Sequence, residues 1–141
     1  MTKRETRISL IRGFVRNRHI KKQSELVDLL AEHGLVATQA TVSRDIAEMG
    51  LQKKDGGYYV LPEDAFVRRM VKELVHEVVP AQNLVVIKAS TGAAQGVAAA
   101  LDGAELKGII GSIAGDDTIM LIAADNDDAV KLAATIDAFK T

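Results

Sequence analysis

The apolar residues of this chain change period at Gly50, and that change restricts the fold to helices first and a mixture of strands and helices afterwards. Upstream, Ile8, Ile11, Phe14 and Val15 recur at helical spacing, and Leu26, Val27, Leu29 and Leu30 form a second amphipathic run that stops at Gly34. A third helix is expected over Gln39 to Met49. Both of its ends are marked: Thr38 is a good N-cap, and Gly50 suits the left-handed position beyond a C-terminus. Ser24 is the candidate cap of the second helix. Downstream, Leu51-Gln52-Lys53-Lys54 and Tyr58-Tyr59-Val60-Leu61 read as two short strands around an Asp55-Gly56-Gly57 turn.

Three helices followed by a hairpin is the order of a winged helix-turn-helix. Pro62-Glu63-Asp64 then breaks the chain, and Phe66, Val67, Met70, Val71 and Leu74 mark a further amphipathic helix. The expected division is a winged domain over 1–64, a linker helix over 65–75 and a second domain over 76–141. In the latter, strands are expected at Val75 to Val79 and Leu84 to Ile87 around a Pro80-Ala81-Gln82-Asn83 turn. A helix from Thr91 to Leu101 follows, then strands at Lys107 to Ala114 and Thr118 to Ala124, then a closing helix from Asn126 to Phe139. The order ββαββα predicts an α+β domain with a four-stranded antiparallel sheet and helices on one face. Runs such as Ile119-Met120-Leu121-Ile122 are more continuous than a half-solvated strand needs, and a sheet this small gains burial by self-association.

Composition removes several classes of function. The 141 residues are 48% hydrophobic and 26% charged, enough apolar material for one domain or two very small ones. No window approaches the ~18 consecutive apolar residues of a membrane helix, and Met1-Thr2-Lys3-Arg4-Glu5 lacks the apolar core of a secretory signal. A cytoplasmic location without membrane partners is expected. With no cysteine, disulfide frameworks, cysteine zinc fingers and thiol catalysis are excluded, and His19, His33 and His76 show no metal-ligand spacing. The net charge of -1 conceals an asymmetry: Met1 to Val60 carries 11 basic and 7 acidic residues, whereas Pro80 to Thr141 carries 4 basic and 8 acidic. A polyanion suits the first part and a cationic ligand suits the second.

On the third helix, Val42, Ile46 and Met49 fall at i, i+4 and i+7 and are expected to face the core. The opposite stripe is Gln39, Ala40, Ser43, Arg44 and Ala47, small and hydrogen-bonding residues around one guanidinium. Such a stripe suits the major groove: Arg44 can pair bidentately with guanine, Gln39 with adenine, and Ser43 or Thr41 can bond phosphate or base. Lys53 and Lys54 on the hairpin, with Arg4, Arg7, Lys21 and Lys22, are expected to contact phosphates. The same stripe on an isolated helix would be an ordinary solvated face. Its place on the third helix, before a basic hairpin and in the positive half, favours DNA.

Gly115-Asp116-Asp117-Thr118 is first of all a hairpin turn, where Gly and Asp are favoured for backbone reasons. Neither it nor Asp125-Asn126-Asp127-Asp128 continues as a calcium loop, and the second cluster fits a helix cap. Two readings of the Asp pair stay open: a carboxylate pair for hydrolytic or metal chemistry, and a cation site shared between chains, in which ligand binding and assembly are linked. Thr91-Gly92-Ala93-Ala94-Gln95-Gly96 opens a helix after a strand, so its free N–H groups suit a ligand carboxylate, and it lacks a nucleotide-binding pattern.

Thr38-Gln39-Ala40-Thr41-Val42-Ser43-Arg44-Asp45, Gly92-Ala93-Ala94-Gln95 and Gly111-Ser112-Ile113-Ala114-Gly115-Asp116-Asp117-Thr118 together resemble the bacterial arginine repressor family, end to end. The resemblance implies a winged-helix DNA-binding domain and a C-terminal domain that trimerises and pairs into hexamers, with L-arginine bound between subunits. It assigns Ser43 and Arg44 to reading operator double-stranded DNA. It places Gln95 and Asp102 near the amino-acid end of the ligand and Asp116 and Asp117 at its guanidinium, and counts Ala114 among the ligand-binding residues. It implies a regulator with no catalytic activity and no cofactor beyond arginine as regulatory ligand, repressing arginine biosynthesis genes and in some members activating arginine catabolism.

Overall fold

The computed structural model describes residues 1–54 and 56–141. The chain divides into two compact units, Met1–Ala65 and Phe66–Thr141. The first contains α1 (Lys3–Asn17), α2 (Gln23–Glu32), α3 (Gln39–Met49), β1 (Gln52–Lys53) and β2 (Tyr59–Val60). A capping box opens α1: the Thr2 hydroxyl accepts from the Glu5 N–H, and the Glu5 carboxylate accepts from the Thr2 N–H, both at 3.1 Å. Helix α2 starts earlier than its candidate cap suggested. Ser24 lies inside it, and the Glu25 carboxylate instead accepts the Lys22 N–H at 3.2 Å. Helix α3 has the expected ends, with the Thr38 hydroxyl accepting from the Thr41 N–H and Gly50 at φ +68°. Ile11, Leu26, Leu30, Val42 and Leu61 are completely enclosed in the core of this winged helix-turn-helix. The wing strands are only two residues each, and Asp55, expected in the turn, lies outside the described residues.

Helix α4 (Pro62–Leu74) contains the division between the units. Pro62-Glu63-Asp64, expected to break the chain, opens this helix instead. Proline at the first helical position loses no hydrogen bond, and two acidic residues in the first turn complement the helix dipole. The second unit continues with β3 (Val75–Ala81), β4 (Leu84–Ala89), α5 (Ala94–Gly103), β5 (Gly111–Ala114), β6 (Thr118–Ile122) and α6 (Asn126–Ala138). The strands form one antiparallel sheet in the order β3-β4-β6-β5. Pro80, expected in a turn, lies within β3, which its edge position permits. Strand β5 is shorter than expected because Lys107 to Ile110 precede it as irregular chain, and α5 begins at Ala94 rather than Thr91.

One face of this sheet carries Val85, Ile87, Ile119 and Leu121, all enclosed with Val97, Leu101, Leu132 and Ile136 from α5 and α6. The other face is open and carries one apolar row beside the polar row Glu77, Lys88 and Thr118. Register places Val79 opposite Val86, Val86 opposite Met120, and Met120 opposite Ile113, a row across all four strands. Val79, Met120 and Ile113 remain exposed.

Candidate DNA-reading face and ligand turn

Geometry separates the two faces of α3 as its spacing requires. Val42 and Ile46 are buried and Met49 is half-buried, while Gln39, Ala40, Ser43, Arg44 and Ala47 are exposed. The Thr38 cap orders the first turn: its hydroxyl donates to the Thr41 hydroxyl at 3.1 Å, and an Arg44 N–H donates to the same oxygen at 3.4 Å. Half-buried Thr41 thus supports Arg44 along the stripe. Sequence reasoning missed the fourth inward residue, Asp45, which is 2% exposed and accepts two hydrogen bonds from Arg7, at 2.5 and 3.0 Å. Its place three residues after Val42 and beside Ile46 was the available signal.

This pairing corrects the expectation that Arg7 faces phosphate. Its guanidinium is mostly enclosed and committed to Asp45, which raises the pKa of Arg7 above its ordinary value through that hydrogen bond and outweighs the cost of burial. Arg4 is paired with Glu48, with both side chains exposed. The remaining cations keep to the surface. Lys53 is exposed with its ammonium 5.1 Å from the centre of the Tyr59 ring, and the half-buried Lys54 donates its N–H to the Tyr58 carbonyl. The loop before α2, which carries exposed Lys21 and Lys22, is fastened to the wing. The Tyr59 N–H donates to the Ile20 carbonyl at 2.8 Å, and His19 stacks on Tyr58 with ring centres 4.4 Å apart.

In the second unit, the β5–β6 turn is held at the N-terminal end of α5. The Ala94 N–H donates to the Asp116 carbonyl at 3.2 Å, and the Ala89 N–H donates to the Asp117 carbonyl at 2.8 Å. Both carboxylates stay exposed; that of Asp117 accepts from the Thr118 hydroxyl, which in turn accepts from Lys88 at 2.9 Å. Gln95, next to Ala94 and exposed, therefore shares one edge with Asp116 and Asp117, and half-buried Ala114 ends β5 at the same turn. Asp102 is not part of that group. Seven residues along α5 separate it from Gln95, about 10 Å of helix, and it lines a different cleft of about 390 Å³ with Glu105, Ile109 and Ser112. Among the described residues, no group of three or more acidic or histidine side chains is placed to hold a metal ion.

Two family descriptions match successive parts of the chain: "Arginine repressor, DNA binding domain" over residues 2–67 and "Arginine repressor, C-terminal domain" over residues 71–138. The chain is 43% identical over 138 residues to the arginine repressor of Carboxydothermus hydrogenoformans, covering 90% of this chain and 92% of that one. It is 42% identical over 139 residues to the arginine repressor of Koribacter versatilis, covering 93% and 94%. The arginine repressor of Symbiobacterium thermophilum is 44% identical over 129 residues, covering 84% and 86%. A winged helix-turn-helix with an exposed guanidinium on its third helix, followed by an α+β domain with an acidic turn, is thus a DNA-binding regulator rather than an enzyme. The chain belongs to the arginine repressor family.

Proposed function

We propose that this chain represses arginine biosynthesis genes by binding operator DNA with L-arginine as corepressor, and that the same complex activates arginine catabolism at some promoters. The observation that carries the reading is the exposed α3 stripe, with Arg44 at its centre, followed in the chain by the lysines of the wing. Arg44 and Gln39 read base edges, Ser43 and Thr41 bond base or phosphate, and Lys53 and Lys54 hold the backbone. No cofactor takes part, and the protein works in the cytoplasm, where its DNA is. No described helix is long and apolar enough to cross a membrane.

Arginine binds between subunits. Asp116 and Asp117 receive its guanidinium through charge-assisted hydrogen bonds, beside Ala114, while Gln95 and Asp102 receive its amino-acid end. The separation of Asp102 from the turn supports a site completed by a second protomer. The open apolar row of the sheet supports trimers, which pair into hexamers around the ligand. Neutralising two adjacent carboxylates then favours the assembly that presents several reading helices to one duplex.

The test combines Asp117→Asn with calorimetry, sedimentation and a gel shift on the promoter of the chain's own gene cluster. Arginine affinity is expected to fall, and operator affinity to stop responding to arginine. Unchanged arginine affinity would remove the site. Titrating lysine, citrulline and ornithine beside arginine identifies the effector.

A further inference from the structure

Helices α1 and α3 are joined by two ion pairs in parallel. Arg4 and Arg7, one turn apart on α1, meet Glu48 and Asp45, one turn apart on α3. The inner rung is enclosed and two-pronged, Nε to Oδ2 and a terminal nitrogen to Oδ1, while the outer rung lies in solvent. A fork seated on a carboxylate constrains rotation as well as distance. Successive residues turn a helix by about 100°, so fixing Asp45 also fixes the direction in which Arg44, its neighbour, leaves the helix.

The ladder has a second effect. Asp45 and Glu48 are the carboxylates on the flank of α3 next to Arg44, and Glu48 stands four residues after Arg44, within reach of an intrahelical ion pair. Occupying Glu48 with Arg4 leaves Arg44 with only its Thr41 contact among the hydrogen bonds described, and the two pairs together withhold two negative charges from an approaching phosphate backbone.

We propose that Arg7 is a positioning residue for operator reading: through its two-pronged bond to Asp45 it sets the roll of α3, assisted by Arg4 on Glu48, and does not itself contact phosphate. This rests on the assignment of α3 as the reading helix.

The experiment uses the full chain with L-arginine. It compares affinity for a duplex enriched from a random-sequence library by the wild-type chain with affinity for a scrambled duplex of equal length, across a salt series. Arg7→Lys keeps the charge but loses the fork. It is expected to reduce the ratio of the two affinities about tenfold, part of what a base contact is worth, with scrambled-duplex affinity and salt slope unchanged. A phosphate contact would behave otherwise: removing the charge in Arg7→Gln would weaken both duplexes alike and lower the salt slope by about 1. That result overturns the proposal, as does an unaltered ratio in Arg7→Lys.

Because an unpaired buried Asp45 threatens folding, Arg7→Met combined with Asp45→Leu serves as the second variant. It is expected to melt cooperatively, to bind the scrambled duplex normally and to have a reduced ratio; a wild-type ratio refutes the inference. Arg44→Ala is the control. If it too leaves the ratio intact, α3 is not the reading helix and both ideas fall; if it lowers the ratio while the Arg7 variants do not, only the positioning role fails.

Discussion

Replacing Ile113 by Asp tests whether the open face of the sheet is the surface on which protomers assemble. Ile113 is 69% exposed, Val79 40% and Met120 41%, and half-buried Val86 completes the row. Full burial of such side chains is worth about 1.5–3 kcal/mol each, so the parts still in water are worth about 1 kcal/mol each. The row then supplies about 4 kcal/mol per protomer, or about 12 kcal/mol for three. Joining three protomers takes two association steps of about 4–15 kcal/mol each, so a contribution of this size is comparable to the cost, and losing part of it is expected to tip the balance against assembly. Ile113→Asp removes the most exposed member and places a carboxylate in the contact, where burying an unpaired charge costs several kcal/mol more. The dissociation constant for assembly should rise at least about a hundredfold, equivalent to about 2.7 kcal/mol. The protomer itself should keep its fold, because Ile113 lies outside the enclosed core. Sedimentation velocity at micromolar protein with L-arginine reads the assembly, and circular dichroism reads the protomer. A variant that is folded and sediments with wild-type mass would refute the reasoning.

Arg44→Ala is expected to lose about 1–3 kcal/mol of base discrimination with little change in melting temperature, since Arg44 is exposed. Lys53→Ala should instead weaken binding to all duplexes and lower the slope of log affinity against log salt by about 0.9; fluorescence anisotropy across a salt series measures both. Thr38→Ala removes the acceptor of the Thr41 N–H and should destabilise the first unit by about 1 kcal/mol in a denaturant titration. Glu63 meets Arg12 and Arg16. Burial pushes its carboxyl up, but its hydrogen bonds and these cations prevail and hold it below its ordinary 4.5. A depressed carboxyl stabilises the fold above its unfolded value, and that contribution is lost as pH falls through the folded value. Wild type should therefore lose melting temperature more steeply than Glu63→Gln below pH 4.5, and parallel acid profiles would contradict the ion-pair assignment.

Local chemistry made much of the architecture readable from the sequence. The limits of α3 follow from a hydroxyl at Thr38 and a missing Cβ at Gly50, both of which act within one helical turn. The exposed stripe of α3 follows from helical period alone, because once Val42 and Ile46 are inside, Ser43 and Arg44 must be outside. Short apolar runs and turn residues likewise marked the four strands and the acidic turn of the second unit. The family became recognisable because its motifs are short and contiguous.

Tertiary structure decided what depends on partners distant in the chain. Arg7 and Asp45 are separated by 38 positions, so nothing local distinguishes a guanidinium that will face DNA from one that will neutralise a buried carboxylate. Likewise, Pro80 is tolerated in a strand only because β3 lies at the sheet edge, and Glu63 and Asp64 open a helix opposite arginines of α1 instead of ending the chain's order. The sheet order also revealed that Val79, Val86, Met120 and Ile113 form one row, since register across strands is set by the packed opposite face. Helical period and caps are properties of neighbouring residues; the use of a charge and the solvent exposure of an apolar side chain are determined only when separate segments meet.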